Sequence, residues 1–314
     1  MKKIKSIENL KVYDNECLRS VIIGDQVKLE HSGYTIGKQL SASSDIGKGR
    51  KNQEDSYIIL EHPVNPDFKL IAVSDGVGGE KNGEIASNET IKKLSLWFRS
   101  LDINCMHDMN EVRRSLRKRL SNILEDVNII SGAATLSAAI IGNDETLIAN
   151  IGDSRVYSYK EGILKQETRD DSEVQCLYEN EVIPSKELMR FHFGSNVITQ
   201  AIIQKMSPRD NYNVSFSVIP NDSYDRIYAF TDGVTDCLSK KELENIIKNS
   251  KGTVSEKIVK EALNNDSDLY EEIEKLPQKE KEVAYELMEF IDSDYHKNIP
   301  GGKDNTTAVE YRKK

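Results

Sequence analysis

An α+β fold with antiparallel sheets is the class this 314-residue sequence predicts. Short apolar runs, partly β-branched and bounded by Gly, Asn or Asp, fall in three zones: 56–60 with 70–74, then 135–159, then 226–231 with 306–310. Two helical stripes separate the first zone from the second. Strands, then helices, then strands favour segregated antiparallel sheets over an alternating parallel fold.

In chain order, 56–60 and 70–74 read as the first strands. Residues 83–100 carry Ile91, Leu94 and Phe98 at helical spacing. Residues 108–130 carry Val112, Leu116, Leu120, Ile123 and Val127, a stripe at steps of three and four. The stretch "LSAAIIGNDETLIANIGDSRVYSYKEGIL" reads as consecutive antiparallel strands with turns at 142–145, 152–153 and 160–162. Two charged helical stretches, about 255–262 and 278–291, are expected at the periphery. Residues 1–33 are an N-terminal extension without an assignable structure. No internal repeat or low-complexity linker divides the rest, so 34–314 reads as one domain.

A net charge of −9 does not suit nucleic acid, because phosphate backbones reward a basic surface. The basic cluster Arg113, Arg114, Arg117, Lys118 and Arg119 reads as a solvated helix face. Four cysteines (Cys17, Cys105, Cys176, Cys237) lie far apart with no CxxC, as reduced thiols do in a cytosolic protein. The start has basic residues but no apolar stretch long enough for a signal peptide, and no run approaches a membrane span. A cytoplasmic protein is expected, a monomer without nucleic-acid or membrane partners.

The acids are placed with more purpose. Asp75 follows "LIAVS", Asp153 follows "LIANIG" and Asp232 follows "RIYAFT"; Asp304 precedes "NTTAVE", and Glu54 and Asp55 precede "SYIIL". Strand ends gather at the rim of a sheet, so these acids can converge although far apart in sequence. Converging carboxylates repel unless protons or cations neutralise them. Oxygen-only ligands select hard ions such as Mg²⁺ or Mn²⁺. His31, His62, His107, His192 and His296 sit outside these motifs, which argues against zinc. Gly76 lets a backbone carbonyl approach an ion, and Gly78 and Gly79 permit a tight turn beside it. A single Asp-Gly would merely make a turn; five segments sharing an acid at a strand end need another reason.

On these residues the chain resembles the metal-dependent serine/threonine protein phosphatases, the type 2C or PPM family, in its bacterial form. The matching stretches occur in the family's order: "GRKNQED" (49–55), "AVSDGVGGEKNGEIAS" (72–87), "GAATLSAAI" (132–140), "ANIGDSRVYSY" (149–159), "FTDGVTD" (230–236) and "GGKDNTTAV" (301–309). The resemblance implies a β-sandwich flanked by helices, a four-layer α-β-β-α arrangement with a two-metal centre at one end. It implies Asp75 as the carboxylate bridging both ions, the Gly76 carbonyl on one of them, and Asp232 and Asp304 as further ligands. Glu54 and Asp55 would hold coordinated water or orient neighbours, Arg50 would bind phosphate through its planar fork of donors, and Asp153 and Asp236 match the pair that holds a third ion in some members.

The implied reaction is hydrolysis of phosphoserine and phosphothreonine in proteins by direct in-line attack of a metal-bridged hydroxide, on substrates of a serine/threonine kinase. No Cys or Ser sits in a nucleophile motif, and Ser154 reads as structural. The chain departs from the family at Val77, where some relatives carry a proton-donating His, and at Asp171, where His is usual. The flap, about 170–201, would shape substrate access, and a charged helical insertion, about 250–298, reads as decoration. A small phosphate-ester hydrolase on the same metals and a phosphatase-like binding module without catalysis are the alternatives; the complete set Asp75, Gly76, Asp232 and Asp304 argues against the second. The structural reading of the third-ion pair puts Asp153 in a strand turn and makes Asp236 the cap of the helix in "SKKELENII".

Overall fold

The computed structural model describes residues 32–36, 39–77, 82–127, 132–204, 212–252, 254–265, 269–289 and 303–313. Residues 1–31, Gly78 and Gly79, the 128–130 end of the second helical stripe, 290–298 of the insertion and 301–302 of the last motif lie outside these. Four strands come first: β1 (Ser32–Ile36), β2 (Leu40–Asp45), β3 (Asp55–Glu61) and β4 (Lys69–Asp75). Helices α1 (Gly83–Arg99) and α2 (Met109–Leu120) lead to β5 (Ala133–Ala134), β6 (Leu136–Ile141), β7 (Glu145–Ile151), β8 (Arg155–Lys160) and β9 (Ile163–Gln166). The flap holds α3 (Glu173–Glu179) and a 3-10 turn, Lys186–Phe191. Then come β10 (Ile202–Ile203), β11 (Ser215–Pro220), β12 (Arg226–Phe230), α4 (Asp232–Thr235), α5 (Lys240–Lys248), α6 (Ser255–Asn264), α7 (Leu269–Glu274), α8 (Gln278–Glu289) and β13 (Thr306–Arg312).

One sheet runs β1-β2-β13-β12-β8-β9 and another β11-β7-β6-β4-β3, with antiparallel pairing throughout. Successive residues of a strand face opposite ways, and here the central strands of both sheets are covered on both faces. Along β4, Ile71 and Val73 enter the core between the sheets, with Tyr57, Ile227 and Val309. Leu70 and Ala72 point outward to a second core, where Ile91, Leu94 and Phe98 of α1 meet Val112 and Leu116 of α2. On the far side Tyr228 and Phe230 of β12 carry Leu243 and Ile247 of α5 and Ile258 and Val259 of α6. The result is helix, sheet, sheet, helix, as the resemblance implies. Double-sided burial also explains why the strands read as unbroken apolar runs rather than alternating ones.

Three expectations are corrected. The second helical stripe stops at Leu120: residues beyond it bond at shorter range, Ile123 N to Leu120 O among them, and the Tyr212 hydroxyl takes the Leu120 carbonyl at 2.6 Å. Ile123 stays buried in a turn. Helix α6 is not peripheral, because Ile258, Val259 and Ala262 are fully buried against the six-stranded sheet. The helix in "SKKELENII" is capped by Ser239, whose side chain accepts from Glu242 N in a reciprocal capping box, while Asp236 ends α4 instead. No helix among the described residues is long and apolar enough to cross a membrane.

Candidate metal centre

The β-ladder itself brings the first acids together. Asp55 opens β3, Asp75 closes β4, and the two are direct cross-strand partners. Asp75 is clamped by its main chain: its N–H donates to Thr135 Oγ1 (2.9 Å), and its carbonyl accepts from Thr135 N (2.8 Å). Gly76 follows in a slot where a Cβ would collide with the main chain of Gly83 at the start of α1. Close helix–strand approach is thus a reason for this glycine that the sequence did not reveal. Asp232 begins α4 directly after β12, and the next residue, Gly233, lies so close to the Asn305 main chain that no side chain fits there. That approach sets Asp232 beside the turn carrying Asp304.

Electrostatics show that these groups share one site. Burial pushes the Asp75 carboxyl well above the usual carboxylate range, and the charges of Asp232, Asp55 and Asp304 push it further. Asp232 is raised well above its ordinary value by burial, then by Asp304, Asp153 and Asp236. Asp55 is raised to about 7 by burial, although hydroxyls of Thr307 and Thr231 oppose the rise. Thr231 donates to Asp55 Oδ2 at 2.8 Å; Asp55 Oδ1 and Asp232 Oδ1 are buried with no hydrogen-bond partner. A buried carboxylate oxygen without a donor is a costly arrangement unless something positive faces it.

Asp153 follows Gly152, whose φ of 93° bends the chain after β7. Burial lifts Asp153 to about 7, with Asp170 and Asp236 adding to it and Arg155 opposing. Asp236 is lifted to about 6 by burial, against Arg155 and Arg190. Arg155 itself is bound to Asp170 Oδ2 (2.8 and 2.7 Å), so this second group of acids has a resident cation. Asp171 clips the turn from behind: its N–H donates to Gly152 O (2.9 Å), and its Oδ2 accepts from Gly152 N (3.1 Å). Ser154 is buried and hydrogen-bonded to Thr135 Oγ1 at 2.8 Å, with no base beside it.

Arg50 and Glu54 lie on the loop before β3. Arg50 Nη2 donates to Asp304 Oδ2 at 2.7 Å, and Glu54 stands 3.9 Å from Nη1. Burial raises Glu54, and Arg50 opposes the rise. One residue organising this loop escaped the sequence reading. Asn305 donates through Nδ2 to Ile46 O (2.8 Å) and Asn52 O (3.0 Å), and its Oδ1 accepts from Glu54 N (2.7 Å). It stitches the loop of Arg50 and Glu54 to the strand of Asp304; its place immediately after Asp304 was the available signal. Thr231, immediately before Asp232, is the second residue missed.

The donor set suits a hard divalent ion: only oxygen is offered, the carboxylates are crowded, and two of their oxygens lack partners. Among the described residues, no group of three or more His, Cys, Asp or Glu side chains could hold a metal ion by itself. An ion here therefore has to draw on a backbone carbonyl and water as well, a coordination that Mg²⁺ accepts.

Comparison with known proteins agrees with this geometry. The family model described as protein phosphatase 2C matches residues 43–265. The serine/threonine phosphatase stp of Listeria monocytogenes is 28% identical over 222 residues, 68% of this chain and 84% of that protein. Protein phosphatase PhpP of Streptococcus pneumoniae is 26% identical over 214 residues, 67% and 84% of the two chains. In fold, the serine/threonine phosphatase Stp1 from Staphylococcus aureus matches with a TM-score of 0.65 at 21% identity, over 89% of this chain and 96% of that one. The catalytic domain of PstP, solved with two manganese ions, matches with a TM-score of 0.55 at 21% identity, over 87% and 97%. The family match takes in β3, β4 and the turn after β12, the segments that carry Asp55, Asp75 and Asp232. With the sandwich, the acid rim and this match in agreement, the chain belongs to the protein phosphatase 2C family.

Proposed function

We propose that residues 34–314 form a metal-dependent protein serine/threonine phosphatase domain whose centre is the acid rim of the sandwich. The observation that carries this reading is the crowding of Asp55, Asp75, Asp232 and Asp304 at one rim, with buried carboxylate oxygens that no protein donor reaches. Asp75, the Gly76 carbonyl, Asp232 and Asp304 would hold two ions, and Asp153 and Asp236 would hold a third. Bound there, Mg²⁺ or Mn²⁺ supplies water activation near neutral pH and charge neutralisation at the attacked phosphoryl group.

The chain's own groups do the remaining work. Thr231 holds one oxygen of Asp55 and leaves the other without a hydrogen-bond partner. Asn305 keeps Glu54 and Arg50 against Asp304. Arg50 is bound on one side to Asp304 and is 40% exposed, so its remaining donors face a phosphate dianion arriving from solvent. Val77 has no proton to give, so protonation of the departing alkoxide falls to the polar group around Asp153 and Asp236. Its substrates are phosphoproteins of a serine/threonine kinase, met in the cytoplasm by a monomer. Turnover of a phosphothreonine peptide in Mn²⁺ buffer, abolished by EDTA, is the expected result; full turnover after exhaustive chelation and gel filtration would overturn the metal reading.

A further inference from the structure

The flap and the helical insertion share a core that, among the described residues, contains no side chain from either sheet. Val174, Ile183, Leu188 and Phe191 of the flap are buried against Ile273 of α7 and Met288 of α8. The apolar faces of α7 and α8 are thus covered by the flap and cover it in turn. Decoration does not describe them.

Arg190 ties this unit to the turn that carries Asp236. Arg190, in the flap's 3-10 turn, forms an ion pair with Glu272 of α7 (Nη1 to Oε2, 2.9 Å; Nη2 to Oε1, 3.5 Å). The same Nη2 donates to the main-chain carbonyl of Asp236 at 2.7 Å. Both partners are largely shielded, with side chains 24% and 17% exposed, so the contacts are not loose surface pairs. Three segments distant in sequence meet on one guanidinium, whose planar fork of donors suits this geometry better than a lysine's point charge.

We infer that Arg190 is a positioning residue that fastens the flap and the α7–α8 insertion, as one unit, to the turn carrying Asp232 and Asp236. The insertion then determines where the flap stands over the rim, and so which phosphoproteins fit beneath it. The consequence for substrates rests on the phosphatase reading; the fastening does not.

Amide hydrogen exchange on the full chain tests the fastening without turnover. In Arg190→Ala, residues 232–238 and the flap should exchange together about tenfold faster, the order of one lost charged hydrogen bond. In Glu272→Gln, exchange should quicken in the flap and α7–α8, while 232–238 keep the wild-type rate because the bond to Asp236 survives. Arg190→Lys should recover part of the protection at 232–238. Phosphothreonine-peptide kcat/KM should fall about tenfold in Arg190→Ala and recover in part in Arg190→Lys. Wild-type exchange at 232–238 in Arg190→Ala overturns the inference, as does an identical exchange pattern in the alanine and glutamine variants. If the variants show the expected exchange pattern but the wild-type chain never turns over the peptide, the phosphatase reading fails and the fastening stands.

Discussion

Strand β13 carries a buried acid, Glu310, and is entered through another acid, Asp304; the acids gathered at its two ends stand in opposite circumstances. Glu310 is fully buried, yet its oxygens are met by Val254 N (2.6 Å), Arg226 Nη1, Tyr228 OH and Ser41 Oγ (3.3 Å each). Burial still raises its carboxyl, but every one of these donors opposes the rise. At the Asp304 end, Asp75 and Asp232 are surrounded chiefly by other acids, and Asp232 Oδ1 has no partner. Burial alone therefore does not mark a functional acid. The distinction lies in satisfaction: protein donors complete Glu310, whereas the rim is complete only with a cation.

Substitutions that remove one charge at nearly constant volume should separate the two ends most sharply. Asp232→Asn should abolish phosphopeptide turnover by removing a ligand charge, while its melting temperature in EDTA equals or exceeds wild type because like-charge repulsion is relieved. Near-wild-type kcat would remove Asp232 from the ligand set. Asp153→Asn should leave the main pair of ions in place. It should reduce phosphopeptide hydrolysis on the order of tenfold more than p-nitrophenyl phosphate hydrolysis, since a serine or threonine alkoxide needs a proton and nitrophenolate does not. Equal losses on both substrates would end the third-ion assignment.

Arg50→Ala should act mainly on KM, raising it by roughly tenfold if the contact to phosphate is made in ground and transition states alike; unchanged kcat/KM would mean that Arg50 serves Asp304 alone. The mildest effect on turnover belongs to the satisfied end. Glu310→Gln should cost about 1–3 kcal/mol in urea unfolding by leaving Arg226 poorly paired, with kcat within about twofold of wild type. Loss of turnover without loss of stability in Glu310→Gln would erase the contrast.

The sandwich was legible because its strands are apolar on both faces and end on Gly, Asn or Asp. The rim was legible because each acid sits at such an end. Strand β11 went unread: its residues are exposed or half-buried and it ends on Pro220, so no periodic signal survives. The end of α2 was invisible for another reason, since the hydroxyl that takes the Leu120 carbonyl arrives from Tyr212. Asn305 and Arg190 share that difficulty. Each acts through partners far along the chain, and spacing alone cannot report which distant carbonyl a side chain will meet. The same holds for Glu310, whose four donors come from three separate segments, around Ser41, on β12 and at Val254.

The position of β13 within its sheet has a consequence for how the molecule comes into being. It lies between β2 and β12, strands made long before it. Until residues 306–312 emerge from the ribosome, β2 and β12 each present an unpaired edge, and the acid rim lacks Asp304 and the Asn305 stitch. Synthesis at roughly 5–20 residues per second leaves those edges open for several seconds after β12 appears. During that interval the nascent chain is an incomplete sheet in need of protection and a catalyst that cannot yet act, so maturation of the fold and onset of activity are timed by the same late strand.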